Sequence, residues 1–378
     1  MIDKRNEALA KILVDYSTKL KKGDVLYLEI KGKPALELGK HVIRLAAERG
    51  ATPFYYYNDE SLGRQWIAHA SEAQFKTMAK LHLHLMKKAD AYIGIRGSDN
   101  PFDLADMPGK QMAMMNTLFY KPVHFDERVR RTRWVVMRYP TDSMAQLAKT
   151  SQEKFEDFYF DVCCADYPKM SKAQDKLVAL MNRTDKVRIK SPGTDLSFSI
   201  KGIPSVKCDG ERNIPDGEVY TAPVKTSVNG TIRFNTPTIH DGVVYTGIAF
   251  TFKDGKIVKA AADANEDKLN KVLDTDAGAR YVGEFAIGVN PFVLEPMMDT
   301  LFDEKIAGSF HFTPGSCYDE ADNGNKSAIH WDLVLIQRPE HGGGEIWFDG
   351  KLVRKDGRFT DAALERMFSK ENLKGRPA

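Results

Sequence analysis

The chain has 378 residues, enough for two domains with substantial cores. Its 42 % hydrophobic and 28 % charged content is that of a folded globular protein, and a formal net charge of only +3 argues against a nucleic-acid or membrane partner. The four cysteines show no disulfide spacing, residues Met1 to Glu7 carry no apolar signal core, and no apolar run is long enough to span a bilayer, so a cytoplasmic protein is expected.

The first half alternates helix and strand signals. Asn6 to Leu20 has apolar residues at helical spacing, and Asp24 to Ile30 reads as a strand. Pro34 opens a helix that Gly50 closes. Thr52 to Tyr57 is a second strand, Ser71 to Lys88 a long helix, Ala91 to Gly97 a third strand and Trp134 to Tyr139 a fourth. This alternation predicts an α/β domain with a mostly parallel sheet. The Arg128, Arg130, Arg131 and Arg133 patch reads as a solvated surface or an interface. Helical patterns follow at Ser151 to Tyr159 and Ala173 to Asn182.

Past residue 185 the texture changes. Asp-Gly pairs recur at 209–210, 216–217, 241–242, 254–255, 349–350 and 356–357, between short apolar runs such as Val187 to Lys190, Leu196 to Ile200, Val243 to Phe252 and Ile346 to Phe348. Asp-Gly between such runs is a strong hairpin signal. Residues 1–185 are therefore expected to form the α/β domain, and residues 186–378 a β-rich α+β domain, with a helix near Asn265 to Leu273.

The chemistry-bearing residues fall in this second part. Ser309 to Gln337 holds two apolar runs around a polar, Gly-rich loop. The first run carries His311 between Phe310 and Phe312; the second, Ile329 to Ile336, reads as a strand on which His330 and Asp332 share a face and Trp331 opposes them. Glu284 lies in the strand-like run Tyr281 to Gly288, on a face with Ala286 and Gly288, and there a carboxylate needs a partner. Glu218 opens Glu-Val-Tyr-Thr-Ala-Pro after a Pro-Asp-Gly turn. Singly, each has a plain reading as a core histidine or surface acid. Together, Glu218, Glu284, His311, His330 and Asp332 make a mixed N/O donor set suited to two divalent ions roughly 3.5–4 Å apart. No HExxH helix, Walker A loop, G-x-S-x-G elbow or G-x-G-x-x-G is present. His124-Phe-Asp126 repeats the His-x-Asp pattern beside a charged helical run and reads as structural, and His82 and His84 do not face each other on a helix.

The chain resembles the M29 metalloaminopeptidases, the aminopeptidase T, S and PepS type. The likeness is carried by Ile12 to Gly23, Thr132 to Pro140, Pro192 to Phe198, Ile214 to Pro223 and Ser327-Ala-Ile-His-Trp-Asp-Leu-Val334, and runs over nearly the whole chain. The resemblance implies metal ligands at Glu218, Glu284, His311, His330 and Asp332, two ions of the zinc, cobalt or manganese type, Glu284 as a bridge between them, and a catalytic tyrosine at Tyr318. It further implies short peptide substrates and a homodimer enclosing its active sites. In such an enzyme a metal-bound hydroxide attacks the scissile carbonyl, with Tyr318 donating to the oxyanion. The His311–His330 loop is shorter than in the family, so loop-dependent substrate preference does not carry over. A similar branch contains mononuclear iron dioxygenases acting on dihydroxypyridines. His311, His330 and Asp332 alone satisfy that chemistry, whereas Glu218 and Glu284 are superfluous to it. A non-enzymatic ligand-binding member is the third alternative.

Overall fold

The structure, a computed structural model, describes residues 3–100 and 102–375. Its contacts divide into two compact units: one comprises the chain up to Cys164 with Gly210–Ile214, the other Ala165–Asp209 with Pro215–Gly375. The helix Tyr167–Asn182 thus belongs with the second unit.

The first unit is built on a five-stranded sheet whose pairings are all parallel, in the order Thr52–Asn58, Val25–Lys31, Ala91–Arg96, Arg133–Arg138, Asn213–Ile214. The first four strands fall within a residue or two of their predicted places, and Asn213–Ile214 is an addition not expected from the sequence. Val25–Lys31 and Ala91–Arg96 are largely buried, as strands covered on both faces must be. The long helix Glu72–Met86 starts where Ser71 and Gln74 cap each other: the Gln74 N–H donates to Ser71 Oγ (3.4 Å) and the Ser71 N–H to Gln74 Oε1 (2.8 Å). The predicted first helix is Lys4–Lys11 followed by a π-helical turn, Ile12–Ser17. Arg128 departs from the solvated patch expected for it. It is buried, with its guanidinium over the rings of Tyr92 and Trp134 at 5.0 and 4.4 Å.

The second unit contains two large antiparallel sheets and a two-stranded hairpin, Thr238–His240 with Val243–Tyr245. The larger has eight strands, from Lys256–Ala261 at one edge through Thr194–Ser199 and Lys186–Ser191 to Arg358–Phe359 at the other. Four of the Asp-Gly pairs make tight hairpins, with positive φ at both residues (for example 49° and 84° at Asp254 and Gly255), the conformation that matches strand twist. Asp216-Gly217 instead leads into the Glu218 strand.

The smaller sheet has the order Leu333–Ile336, Ser309–Pro314, Val282–Gly288, Glu218–Thr221, Val206–Cys208. Its register pairs Phe285 with Phe312 and Ile287 with Phe310, which puts the phenylalanines on one face. There they meet Phe198 and Phe252 of the larger sheet, with ring centroids 5.0 Å (Phe198–Phe285), 5.1 Å (Phe198–Phe312) and 5.8 Å (Phe252–Phe312) apart. Each such buried ring contributes about 1.5–3 kcal/mol. The other face, by the same alternation, carries Glu218, Glu284, Ala286, Gly288, His311 and Thr313. The predicted strand from Ile329 is shorter than expected. Ladder pairing begins at Leu333, and His330 makes only an isolated bridge to Gly315. Among the described residues no helix is long and apolar enough to cross a membrane.

Candidate metal centre

The six predicted site residues converge on the second unit's smaller sheet. Glu218 begins one strand, and its backbone carbonyl accepts a hydrogen bond of 2.9 Å from Nε2 of the buried Gln174. Glu284 lies within a strand whose residues are all buried, which excludes the surface-glutamate reading. His311 sits on the adjacent strand, opposite Ala286. His330 and Asp332 arrive on the extended segment ahead of Leu333; their side chains point the same way although no regular ladder holds them, and Trp331 turns away to stack on His240 at 4.4 Å. The loop from His311 to His330 is tied down by the buried Asn325, whose Nδ2 donates to the carbonyls of Gly278 (2.9 Å) and Gly315 (2.6 Å).

His311 Nε2 is the focus of the nest. Glu284 Oε1 lies 2.7 Å from it, Glu218 Oε2 3.5 Å and Asp332 Oδ1 3.9 Å. His330 Nε2 lies 3.3 Å from Asp332 Oδ1 and 3.7 Å from Glu284 Oε2. The outer contacts fix orientation. His330 donates Nδ1–H to the Ser316 carbonyl at 2.7 Å, which leaves Nε2 facing the carboxylates, and Thr313 Oγ1 donates to Asp332 Oδ1 at 2.7 Å. Tyr318 stands at the rim, half-exposed, with its ring 4.7 Å from that of His330 and 5.6 Å from that of Tyr220.

The electrostatics are those of concentrated negative charge. Burial opposes protonation of His311, but Glu218, Glu284 and Asp332 outweigh it and raise its pKa to about 10. His330 is likewise raised to about 10, against burial, by Asp332 and Glu284. Burial pushes Glu284 up while both imidazoles pull it down. At Tyr318, burial of the hydroxyl end and then the charges of Glu284 and Asp332 hold the phenol well above its ordinary range, so it stays a donor.

Three buried polar atoms of this nest have no hydrogen-bond partner: Glu218 Oε2, Glu284 Oε2 and His311 Nδ1. Unpaired buried acceptors are costly, and two carboxylate oxygens beside two imidazoles are the donor chemistry of a divalent transition ion. The ligand atoms of Glu284, His311 and Asp332 lie within 4.8 Å of one another, as do those of Glu218, Glu304 and His311, and those of Cys208, Asp216 and Glu218. The residues present therefore fit a metal.

Sequence reasoning missed Asp216, Glu304 and Lys305. Lys305 is fully buried, and its ammonium donates to Glu218 Oε1 at 2.5 Å, Glu304 Oε1 at 2.8 Å and Asp216 Oδ1 at 3.2 Å. Burial works against its charge, yet Glu218, Glu304 and Asp216 together hold its pKa well above the lysine range. Gly288 admits this arm: a Cβ there would meet the Ile306 carbonyl oxygen at 2.4 Å. The sequence signal was slight, a charged Asp303-Glu-Lys305 triplet between Phe302 and Ile306. His124 and Asp126, read as structural, lie in the first unit, and neither is among the groupings able to hold an ion in the described residues.

A buried nest of imidazoles and carboxylates, with orphaned oxygens pointing inward, marks a metalloprotein. The chain belongs to the M29 family, described as thermophilic metalloproteases, whose model matches residues 2–359. It is 28 % identical to aminopeptidase T of Thermus thermophilus, over 94 % of this chain and 97 % of that protein. It is 27 % identical to aminopeptidase 2 of Geobacillus stearothermophilus, over 94 % and 95 %. The fold is that of the solved Thermus thermophilus AmpT, with a TM-score of 0.79 at 22 % identity, covering 95 % of this chain and all of that one (100 %). A 2,5-dihydroxypyridine dioxygenase from Pseudomonas putida KT2440 shares the fold at a TM-score of 0.60 and 13 % identity, over 96 % of this chain and 98 % of that one.

Proposed function

We propose that this chain is a metal-dependent aminopeptidase that removes N-terminal residues from short peptides in the cytoplasm. The observation that carries the reading is the convergence of Glu284, His311, His330 and Asp332 in one buried nest, with Glu284 Oε2 and Glu218 Oε2 lacking any hydrogen-bond partner. Family membership and the aminopeptidase names of its relatives support it.

Glu284, His311, His330 and Asp332 would hold a divalent ion of the zinc, cobalt or manganese type, with Glu218 as a further ligand. A divalent ion so held polarises a carbonyl and lowers the pKa of water. The chain's own residues do the rest. Ser316 fixes the His330 tautomer and Thr313 orients Asp332, so the donors are placed before any ion arrives. Tyr318, kept neutral by its surroundings, donates a hydrogen bond to the oxygen of the scissile carbonyl as that oxygen gains charge. The resemblance implies two ions, which Glu218, Glu284, His311, His330 and Asp332 would hold between them, with Glu284 as the carboxylate they would share. It also implies a homodimer whose contact shields the site from large substrates. Light scattering giving a fully active monomer at micromolar concentration would refute that last point.

The two imidazoles and Asp332 are also a triad that iron can use. The hydrolytic reading is preferred because Glu284 adds a buried carboxylate that a triad does not require. The test is a panel of aminoacyl anilides offered to chain stripped of metal and reloaded with zinc, cobalt or manganese, beside iron-loaded chain with 2,5-dihydroxypyridine and dioxygen. Anilide hydrolysis restored by metal is the expected result. Ring cleavage without anilide hydrolysis would reverse the assignment.

A further inference from the structure

We propose that the first unit binds a small, doubly charged oxyanion of the phosphate type, held by Arg96, Arg128, Arg212 and the indole N–H of Trp134. All four residues lie in the first unit and the metal nest lies in the second, so the proposal does not depend on the metal-dependent reading.

The parallel sheet brings the donors together. Tyr92 and Trp134 are paired neighbours on adjacent strands, so their rings share a face. Arg128 closes the helical stretch Met115–Arg128 that packs there, and its guanidinium lies over both rings. Arg212 reaches the same indole, its guanidinium carbon 5.3 Å from the ring centroid. Arg96 ends the Tyr92 strand on the same face. Burial weighs against the Arg128 charge, and Arg96 and Arg212 are both near enough to add to that; Tyr92 and Glu29 relieve it only in part.

What the cluster lacks is acceptors. Arg128 is only 8 % exposed, and its Nε and Nη1 have no hydrogen-bond partner. The buried Nε1 of Trp134 has none either. All of these groups donate and none accepts. Among the described residues, the side chains of Arg96, Arg128 and Arg212 make no hydrogen bond or ion pair. Contact with the rings offsets part of their charge but supplies no acceptor, and an unmet buried donor is costly, more so when charged. The nearby carboxylates are engaged elsewhere. Glu29 Oε2 accepts from the Tyr92 hydroxyl at 2.7 Å, which Gly94, having no side chain, lets across. Glu127 turns to Arg131 at 3.8 Å.

The charge count selects the ligand. Three guanidiniums against the Glu29 carboxylate leave two positive charges. His124, pushed down to about 4 mainly by burial, adds none at neutral pH. A doubly charged oxyanion restores neutrality, and its several oxygens can take N–H donors from three arginines and an indole at once. Arg96 and Arg212 are exposed, so the anion enters from solvent and meets them before Arg128 and Trp134.

The experiment is titration calorimetry of the metal-loaded wild-type and His330→Ala chains with phosphate, sulfate and acetate, at mildly alkaline pH and fixed ionic strength. A phosphate site present in both chains is expected, with sulfate competing and acetate at least about tenfold weaker. Arg96→Gln and Arg212→Gln change exposed side chains and should each weaken phosphate about tenfold, leaving anilide hydrolysis as it was. Arg128→Lys keeps the charge but loses the planar donor edge, and should weaken phosphate similarly; should it not fold, the two exposed variants decide. Phosphate binding confined to the wild type would belong to the metal nest and overturn the proposal. So would unchanged affinity in both exposed variants, acetate binding as tightly as phosphate, or no binding at millimolar phosphate. Phenyl phosphate separates the sources. Binding as tight as that of phosphate supports the site as one for phosphate monoesters, and its exclusion supports a site for the free ion.

Discussion

The chain carries the pattern His-x-Asp twice, and the two copies behave oppositely. His124-Phe-Asp126 lies in the first unit on a π-helical stretch, Met115–Arg128, where residues two apart diverge. Its histidine is buried among the rings of Tyr92, Phe119 and Tyr120, and its aspartate turns outward to Lys121. His330-Trp-Asp332 lies on an extended segment, where residues two apart share a side, and its imidazole and carboxylate approach to 3.3 Å. Burial, aided by Arg128 and Arg96 and opposed by Glu29, pushes His124 down to about 4. The carboxylates around His330 overcome burial and bring it to about 10. The same three-residue pattern is thus structural on a helix and a candidate ligand pair on an extended chain. Backbone geometry and the number of converging carboxylates make the difference.

The largest effects should come from the extended copy and its neighbours. Glu284→Ala removes a buried ligand, and is expected to lose the metal and nearly all hydrolysis. His330→Ala should follow it, whereas His124→Ala should keep the metal. Metal content and kcat measured side by side check this, and an ion lost from His124→Ala would erase the contrast. Tyr318→Phe should keep the metal and lose roughly two to three orders of magnitude in kcat, as for removal of one oxyanion donor. If it loses metal, Tyr318 belongs to the coordination and not to the transition state. Thr313→Val removes only the hydrogen bond that orients Asp332, and should weaken metal affinity about 10–100-fold, read by competition with a chelating dye.

The smallest effect concerns pH in the metal-free chain. His330 has its folded pKa raised from 6.5 to about 10, so its pairing contributes stability that is fully present below about pH 6.5 and is lost as pH rises toward 10. For His124 the sign reverses. Its folded value of about 4 lies below 6.5, so the unfolded chain takes up its proton first and stability is lost as pH falls from 6.5 toward 4. Thermal melts of the His330→Gln and His124→Gln chains should flatten the alkaline and acid limbs respectively. Equal changes on both limbs would mean that the two histidines share one environment.

Much of this was legible in the sequence because it is written locally. The strands of the parallel sheet show as apolar runs between helical patterns. The hairpins show as Asp-Gly pairs because only such residues take positive φ cheaply. Phe310-His-Phe312 shows in the sequence as an apolar run interrupted by a histidine, and it lies on a strand with the two rings on one face and the imidazole on the other. Asp216-Gly217 carries the same turn signal, yet its aspartate is drawn to Lys305, a partner far along the chain. No local spacing links Asp216, Glu218 and Lys305, so the sheet had to be seen before the lysine could be. Ile329 to Asp332 looked like strand because its residues are β-branched and aromatic; the chain is extended there, with a single bridge from His330 to Gly315.

The central claim is that the nest around His311 binds a metal and hydrolyses peptides with it. The most direct measurement is leucyl anilide hydrolysis by the wild-type and His330→Ala chains, each stripped of metal and then titrated with zinc, cobalt or manganese while bound metal is counted. Activity absent from the stripped wild type, returning in proportion to bound metal and never returning in His330→Ala, is the predicted result. Full hydrolysis by the stripped chain, or equal recovery in His330→Ala, would contradict it.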